Sequence, residues 1–196
     1  MPDPQDPSER ETPLAHIPRS EPSAVIGFVI LFVGVAMIGY GITALWFGMR
    51  DVLEVGGFCA EGGAYVIQQT CPDRAELLIF TGIPAGVIGI FVALFGCARS
   101  ARGSAGMLLL GWPALFLSLG FNFIYFAINP PDAMGSTIGW WISGIVFCLM
   151  GAPALLLLPS LIKAIQAERR NAFLAVFLAG AIIGTLIAVK VADSAT

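Results

Sequence analysis

Two cysteines, Cys59 and Cys71, frame a glycine-rich segment within residues 50–76, the longest stretch that is neither terminal tail nor hydrophobic span. In an oxidising compartment such a pair forms a disulfide, and closing a loop of this size restricts the unfolded chain by about 3 kcal/mol. A redox-active pair is disfavoured, because the C-x-x-C spacing of thiol oxidoreductases is absent. We therefore expect a structural disulfide, provided that this segment lies outside the cytoplasm.

Carboxylates are the other groups of this region that could do chemistry. The acids of the segment are Asp51, Glu54, Glu61, Asp73 and Glu76. A lipid-modifying enzyme using Asp51, Asp73 or Asp132 is conceivable, but nothing in the sequence fixes the geometry of a catalytic pair. The single histidine, His16, lies in the N-terminal tail, which disfavours a metal or haem site inside the membrane. We expect no enzyme activity and no cofactor.

The elements that position these residues are hydrophobic spans. Of 196 residues, 57% are hydrophobic and 12% are charged, about half the charged fraction of a soluble domain. The mean hydropathy is +0.86. Five segments are long enough to cross a bilayer as helices: 24–49, 77–98, 104–128, 137–162 and 172–189. The sequence predicts an all-α, polytopic membrane protein, a bundle of five transmembrane helices whose partner is the lipid bilayer.

Residues 1–23 differ in composition from the transmembrane domain predicted at 24–193. They contain six prolines and five acids but few apolar residues, so we expect a disordered tail. A basic region leading into a short apolar stretch is missing, and the first span is therefore expected to be retained as an anchor. The net charge of −3 and the scattered basic residues argue against nucleic acid as a partner.

Basic residues of two short connections set the predicted orientation. Arg99 and Arg102 follow the second span, and Lys163, Arg169 and Arg170 follow the fourth. The positive-inside tendency places both connections, and with them the N-terminus, in the cytoplasm. The loop 50–76 and the C-terminus are then extracytoplasmic. Aromatic residues at the ends of spans one, three and four are typical of the belt at the outer interface.

The span interiors contain no ionisable side chain, which disfavours a proton or ion pathway. Asn122 is the most polar residue of a span centre, and we interpret it as a polar contact between helices, with ligand contact as the alternative. Cys97 and Cys148 are interpreted as small apolar fillers. Glycine pairs at small-xxx-small spacing, Gly82/Gly86, Gly135/Gly139 and Gly180/Gly184, indicate close helix packing.

Three spans share the frame Gly-x-Pro-Ala, which contains Pro84, Pro113 and Pro153. Proline inside a helix removes a hydrogen bond and kinks the helix. The kinks could open a small cavity between helices two, three and four, or the shared frame could be a coincidence of residues common in membrane helices.

The loop also carries a family resemblance. Residues 56–72 follow the pattern G-G-F-C-A-x-G-G-x-Y-x-I-x-x-x-C-P, with Ala64 where proline is expected. This resembles the signature of an actinobacterial family of integral membrane proteins of unknown function, in which it follows the first span. The resemblance covers about 17 residues and the hydropathy outline. It implies a bacterial plasma-membrane protein and transfers Cys59 and Cys71 as a disulfide, but no activity.

These observations favour a non-enzymatic membrane protein whose outer loop binds another membrane or envelope protein, as an interaction or accessory subunit. The alternative is a small transporter or channel component that uses the proline-kinked helices two to four, with Asn122 lining the passage.

Overall fold

A computed structural model of the protein describes residues 21–57, 70–131 and 137–195. Throughout these ranges the architecture is all-helical, and five helical segments are long and apolar enough to cross a membrane. The α-helices are α1 (Glu21–Glu54), α2 (Asp73–Ser100), α3 (Gly111–Ile128), α4 (Ile138–Leu155), α5 (Leu158–Ala164) and α6 (Arg170–Ser194). The predicted all-α fold, with five helices of membrane-spanning length and hydropathy, is thus confirmed.

Both helices beside the cysteine-containing loop are longer than their apolar runs. α1 continues through Glu54 and α2 begins at Asp73, so residues 50–54 and 73–76 of the predicted loop are helical. α1 ends where Gly56 and Gly57 adopt positive φ angles of 102° and 86°, which glycine tolerates without steric cost. The amides of Gly56 and Gly57 donate to the carbonyls of Leu53 and Val52. The predicted 50–76 loop therefore begins and ends inside helices.

Two spans are composite. A 3-10 helix, Ser104–Leu110, leads directly into α3, and Pro113 lies in the first turn of α3, where proline costs little. In the fourth span the α-helical hydrogen-bond pattern is interrupted between α4 and α5. The amides of Leu156 and Leu157 donate to carbonyls three residues earlier instead of four. Pro159, in the first turn of α5, cannot donate a backbone hydrogen bond. Pro84 and Pro153 lie inside α2 and α4.

Helix α1 lies at the centre of the fold, packed against α2 on one side and α6 on another. Glycines make these approaches close. A Cβ atom added at Gly34 would lie 2.3 Å from the amide nitrogen of Ala93 in α2, and one at Gly184 in α6 would lie 2.0 Å from the carbonyl oxygen of Ala36. Because lipid is as apolar as these faces, backbone proximity and van der Waals contact replace the hydrophobic effect as the source of packing.

Helices α3 and α4 form a second pair. Gly120 of α3 approaches Cys148 of α4, where an added Cβ would lie 2.6 Å from the cysteine sulfur. Cys148 therefore fills a helix contact, and Cys97 lies in a core cluster with Leu31 and Phe173.

We call the end of the bundle at which α1 ends and α2 begins the loop end, and the opposite end, with Ser100, Ser104 and Arg170, the basic end. At the loop end Leu53 packs with Phe126, Ala127 and Trp140, which ties α1 to the α3–α4 pair. At the basic end Met107, Ile165 and Phe173 share one core with α1 and α2. The two helix groups are thus joined at both ends.

Large apolar side chains cover the outside of the bundle. Phe80 and Phe91 of α2 and Leu149 of α4 are each more than two-thirds exposed. In water such surfaces would be unfavourable, whereas acyl chains cover them at no cost. Their distribution over several helices is compatible with contact to a lipid bilayer.

Candidate functional site at the loop end

The cysteines that the sequence singles out lie at the boundary of what the structure describes. Cys59 falls in the segment 58–69, outside the described residues, whereas Cys71 precedes the first turn of α2. Pro72 occupies the N-cap position of α2, and its carbonyl accepts from the amide of Glu76. The disulfide Cys59–Cys71 therefore stays a prediction.

An ion pair joins the two helices that carry this loop. Asp51, in the last turn of α1, has only 3% of its surface exposed. Arg74, in the first turn of α2, donates from Nε to Asp51 Oδ2 at 2.7 Å and from Nη2 to Asp51 Oδ1. A bidentate arrangement of guanidinium and carboxylate fixes both position and orientation. The base of the loop is thereby held in one geometry.

A second arginine of the loop end lies among aromatic rings. The guanidinium carbon of Arg50 is 4.7 Å from the ring centre of Tyr125, 5.6 Å from that of Trp46 and 5.8 Å from that of Phe126. These distances are within the range of cation–π attraction. Its Nε also lies 3.3 Å from Oε1 of Glu54, whose side chain is half exposed. Arg50 is thus oriented by aromatic side chains of both α1 and α3.

Asn122, the polar residue that the sequence singles out in the third span, contacts α1. It is 2% exposed, and its Nδ2 donates to the backbone carbonyl of Trp46 at 2.9 Å. The same side chain lines a surface cleft of 290 Å³ between α1 and α3. Trp46, Arg50, Phe121, Ile124 and Tyr125 complete the lining. Asn122 therefore makes an inter-helix contact and also borders a cleft.

Two of the three Gly-x-Pro-Ala frames lie at helix contacts, and the third borders a cleft. Gly82 of α2 packs on Ala44 of α1, and Gly151 of α4 packs on Leu117 of α3. Gly111 of α3 borders a 240 Å³ cleft whose other walls come from α1 and α6. The cavity considered between helices two, three and four stays a prediction. In the described residues α2 packs mainly on α1, and it also contacts the 3-10 helix at the start of the third span.

The basic connections of the sequence lie together at the basic end. Nη1 of Arg169 donates to the carbonyl of Ser100 at 2.9 Å, and the amide of Gln166 donates to the carbonyl of Arg102 at 3.1 Å. Gly103, with φ of 76°, permits this approach, since an added Cβ would lie 2.0 Å from the carbonyl oxygen of Ala164. The two connections share one side of the bundle, as a five-span topology requires.

The acids that the sequence singles out lie in different surroundings, where Glu54 pairs with Arg50 and Glu76 is exposed. Asp51 is held by Arg74, Asp73 is exposed, and Asp132 and Glu61 fall outside the described residues. Among residues 21–57, 70–131 and 137–195, no group of three His, Cys, Asp or Glu side chains could hold a metal ion.

The sequence alone did not single out Arg50 and Arg74. The available signal was local: an arginine four residues after Trp46 and an arginine at the start of the second helical run. No family model, curated protein or solved structure matches this chain.

Proposed function

We propose that this protein is a non-enzymatic accessory subunit of a membrane complex, which binds a partner protein through the loop between α1 and α2. The ion pair between Asp51 and Arg74 is the observation that carries the proposal. Opposite charges at the ends of two adjacent helices connect the two anchor points of the loop, so a partner meets a loop whose base is already positioned. Such preorganisation lowers the entropy cost of binding.

The surroundings of the pair support a binding role. Gly57 is the last described residue after α1. It lies against the indole of Trp140 in α4. Trp140 in turn packs edge-on against Phe126 of α3. The start of the loop therefore rests on a layer of aromatic side chains, of a kind that favours protein contacts at membrane interfaces.

The resemblance to the actinobacterial membrane-protein family supports a bacterial plasma-membrane location, and the basic connections support a cytoplasmic N-terminus and an extracytoplasmic C-terminus. The signature begins at Gly56 and Gly57, which follow the end of α1, and finishes at Pro72, the N-cap residue of α2. The pattern thus coincides with the whole connection between the two helices. In this proposal its cysteines close the loop as a disulfide.

Crosslinking in the native membrane tests this function. A photoreactive residue replacing Val55, next to the loop, should capture a defined partner, whereas the same residue at the lipid-exposed position Leu149 of α4 should not. Cys59→Ser should weaken capture from position 55. Equal capture from both positions, or capture unaffected by replacing residues 58–69 with a glycine–serine segment, would show that the loop is not the binding element.

A second candidate function is a small transporter component, and one observation favours it. The 240 Å³ cleft between α1, α3 and α6 contains the hydroxyl groups of Thr43 and Thr185, 3.2 Å apart, in otherwise apolar surroundings. Such a site would suit an uncharged or lipidic solute. Thr43→Val should then abolish uptake or export of that solute, and Pro113→Ala, beside Gly111 of the cleft, should alter it more than Pro84→Ala or Pro153→Ala.

A further inference from the structure

We infer that the cleft between α1 and α3 at the loop end binds the phosphate-bearing headgroup of a bilayer phospholipid. The inference is independent of the partner proposed above. It rests on the order in which a cation, an amide and an apolar side chain follow one another from the loop end inward. These side chains belong to α1 and α3, which run in the same direction.

The cation lies nearest the loop end. Arg50 is four residues from the end of α1, and the Tyr125 ring beside it is near the end of α3. Glu54 is the only carboxylate paired with Arg50 among the described residues, at 3.3 Å and half exposed. Asp51, the next residue, has its charge satisfied by Arg74. The guanidinium therefore keeps much of its capacity to bind an anion, and its planar fork suits phosphate oxygens.

One helical turn deeper, about 6 Å by the rise of an α-helix, the cleft offers an amide. Asn122 uses one Nδ2 hydrogen for the carbonyl of Trp46, and an amide has a second N–H and a carbonyl oxygen to offer. The residue is 2% exposed and still borders the cleft. A buried amide at this depth matches the ester and glycerol oxygens that lie below the phosphate of a phospholipid.

Deeper again the lining is apolar. Phe121, one residue before Asn122 and 63% exposed, forms this part of the cleft, whereas Ile124, two residues nearer the loop end than Asn122, adds an apolar wall beside Tyr125. Acyl chains would cover these side chains. The order cation, amide and apolar surface is that of a phospholipid's own phosphate, glycerol ester and acyl chain, and the cleft volume of 290 Å³ is near the lower end of small-molecule sites.

Native mass spectrometry of the purified full chain tests the inference. Phosphatidylglycerol is the probe, and diacylglycerol with the same acyl chains is the phosphate-free comparison. We expect phosphatidylglycerol to be retained, and diacylglycerol to be retained at least about tenfold less, in line with the strength of charge-assisted hydrogen bonds. Arg50→Gln should reduce retention of phosphatidylglycerol to the diacylglycerol level.

Two further variants separate a lipid site from a structural role of Arg50. Glu54→Gln removes the competing carboxylate and should increase retention of phosphatidylglycerol. Arg102→Gln removes the same charge as Arg50→Gln from an exposed position at the basic end and should leave retention unchanged. Millimolar inorganic phosphate should not displace the lipid, because it lacks the glycerol and acyl parts.

Several results would overturn the inference. Equal retention of the two lipids would mean that the headgroup is not recognised. Unchanged binding in Arg50→Gln, or a loss confined to Arg102→Gln, would place the lipid elsewhere. Displacement by inorganic phosphate would make the cleft a simple anion site.

Discussion

Arg74 of α2 holds the carboxylate of Asp51 of α1 through two parallel hydrogen bonds, at the level where both helices leave the apolar part of the bundle. The carboxylate is 4% exposed and the guanidinium side chain 27% exposed. A charge this buried is costly unless a partner compensates it. The pair therefore links α1 to α2 beyond the apolar runs of both helices.

Replacing Arg74 leaves the buried carboxylate of Asp51 without its partner and should destabilise the protein. We expect Arg74→Gln to lower the free energy of unfolding by about 2 kcal/mol, less than for a fully buried pair because Arg74 remains partly hydrated. Arg50→Gln should lower it by only about 1 kcal/mol, because the pair with Glu54 and the cation–π contacts of Arg50 are partly exposed. Unfolding in detergent micelles, followed by circular dichroism, measures both. Equal losses for the two variants would contradict a special role of the Asp51–Arg74 pair.

Asn122 provides a second prediction. Asn122→Leu removes the hydrogen bond to the carbonyl of Trp46, and we expect a loss of about 0.6 to 2 kcal/mol, as for other polar contacts between membrane helices. Ser118, one turn earlier on α3, donates within its own helix to Leu115. Ser118→Ala is therefore the matched control and should be nearly neutral. If Asn122→Leu proved neutral too, the α1–α3 contact would depend on packing alone.

The number and order of the spans could be predicted from the sequence because a run of about 20 apolar residues has one stable form in lipid. The helix ends could not. Six of the nine residues in 50–54 and 73–76 are charged, as in a loop, and the contact between Asp51 and Arg74 that joins these helix ends links residues far apart in sequence. Composition alone could not reveal that contact.

Which helices pack against each other also could not be predicted from the sequence. The spans are apolar on all sides, so periodicity does not mark the packed face as it does in a soluble protein. The aromatic belt could be predicted from Trp46 and Tyr125, but their position around one guanidinium could not, since it depends on α3 lying beside α1. The cysteine-containing segment 50–76 was identified from residue types, and the pairing of Cys59 with Cys71 remains a prediction.

Only some of the glycines at small-xxx-small spacing lie at close helix contacts, which leads to a third prediction. Gly184 meets the Ala36 carbonyl, whereas a Cβ at Gly139 would meet nothing within 4 Å. Gly184→Ala should force α6 away from α1 and cost about 1 to 3 kcal/mol, the range for overpacking. Gly139→Ala, with the same chemical change, should be neutral or slightly stabilising, because alanine favours helix. Unfolding in micelles distinguishes them, and similar effects at both positions would argue against the close α1–α6 contact.

The cysteine pair gives the last prediction. A membrane-impermeant maleimide applied to intact cells should label neither Cys59 nor Cys71 until a reductant is added, because a disulfide leaves no thiolate to react. Cys59→Ser should make Cys71 reactive without reductant. Cys97, 1% exposed in the core, is the internal control and should stay unlabelled throughout. Labelling of both loop cysteines before reduction would contradict the disulfide. Absence of labelling in the Cys59→Ser protein, even with reductant, would contradict an extracytoplasmic loop, since the positive-inside argument places it on the labelled side.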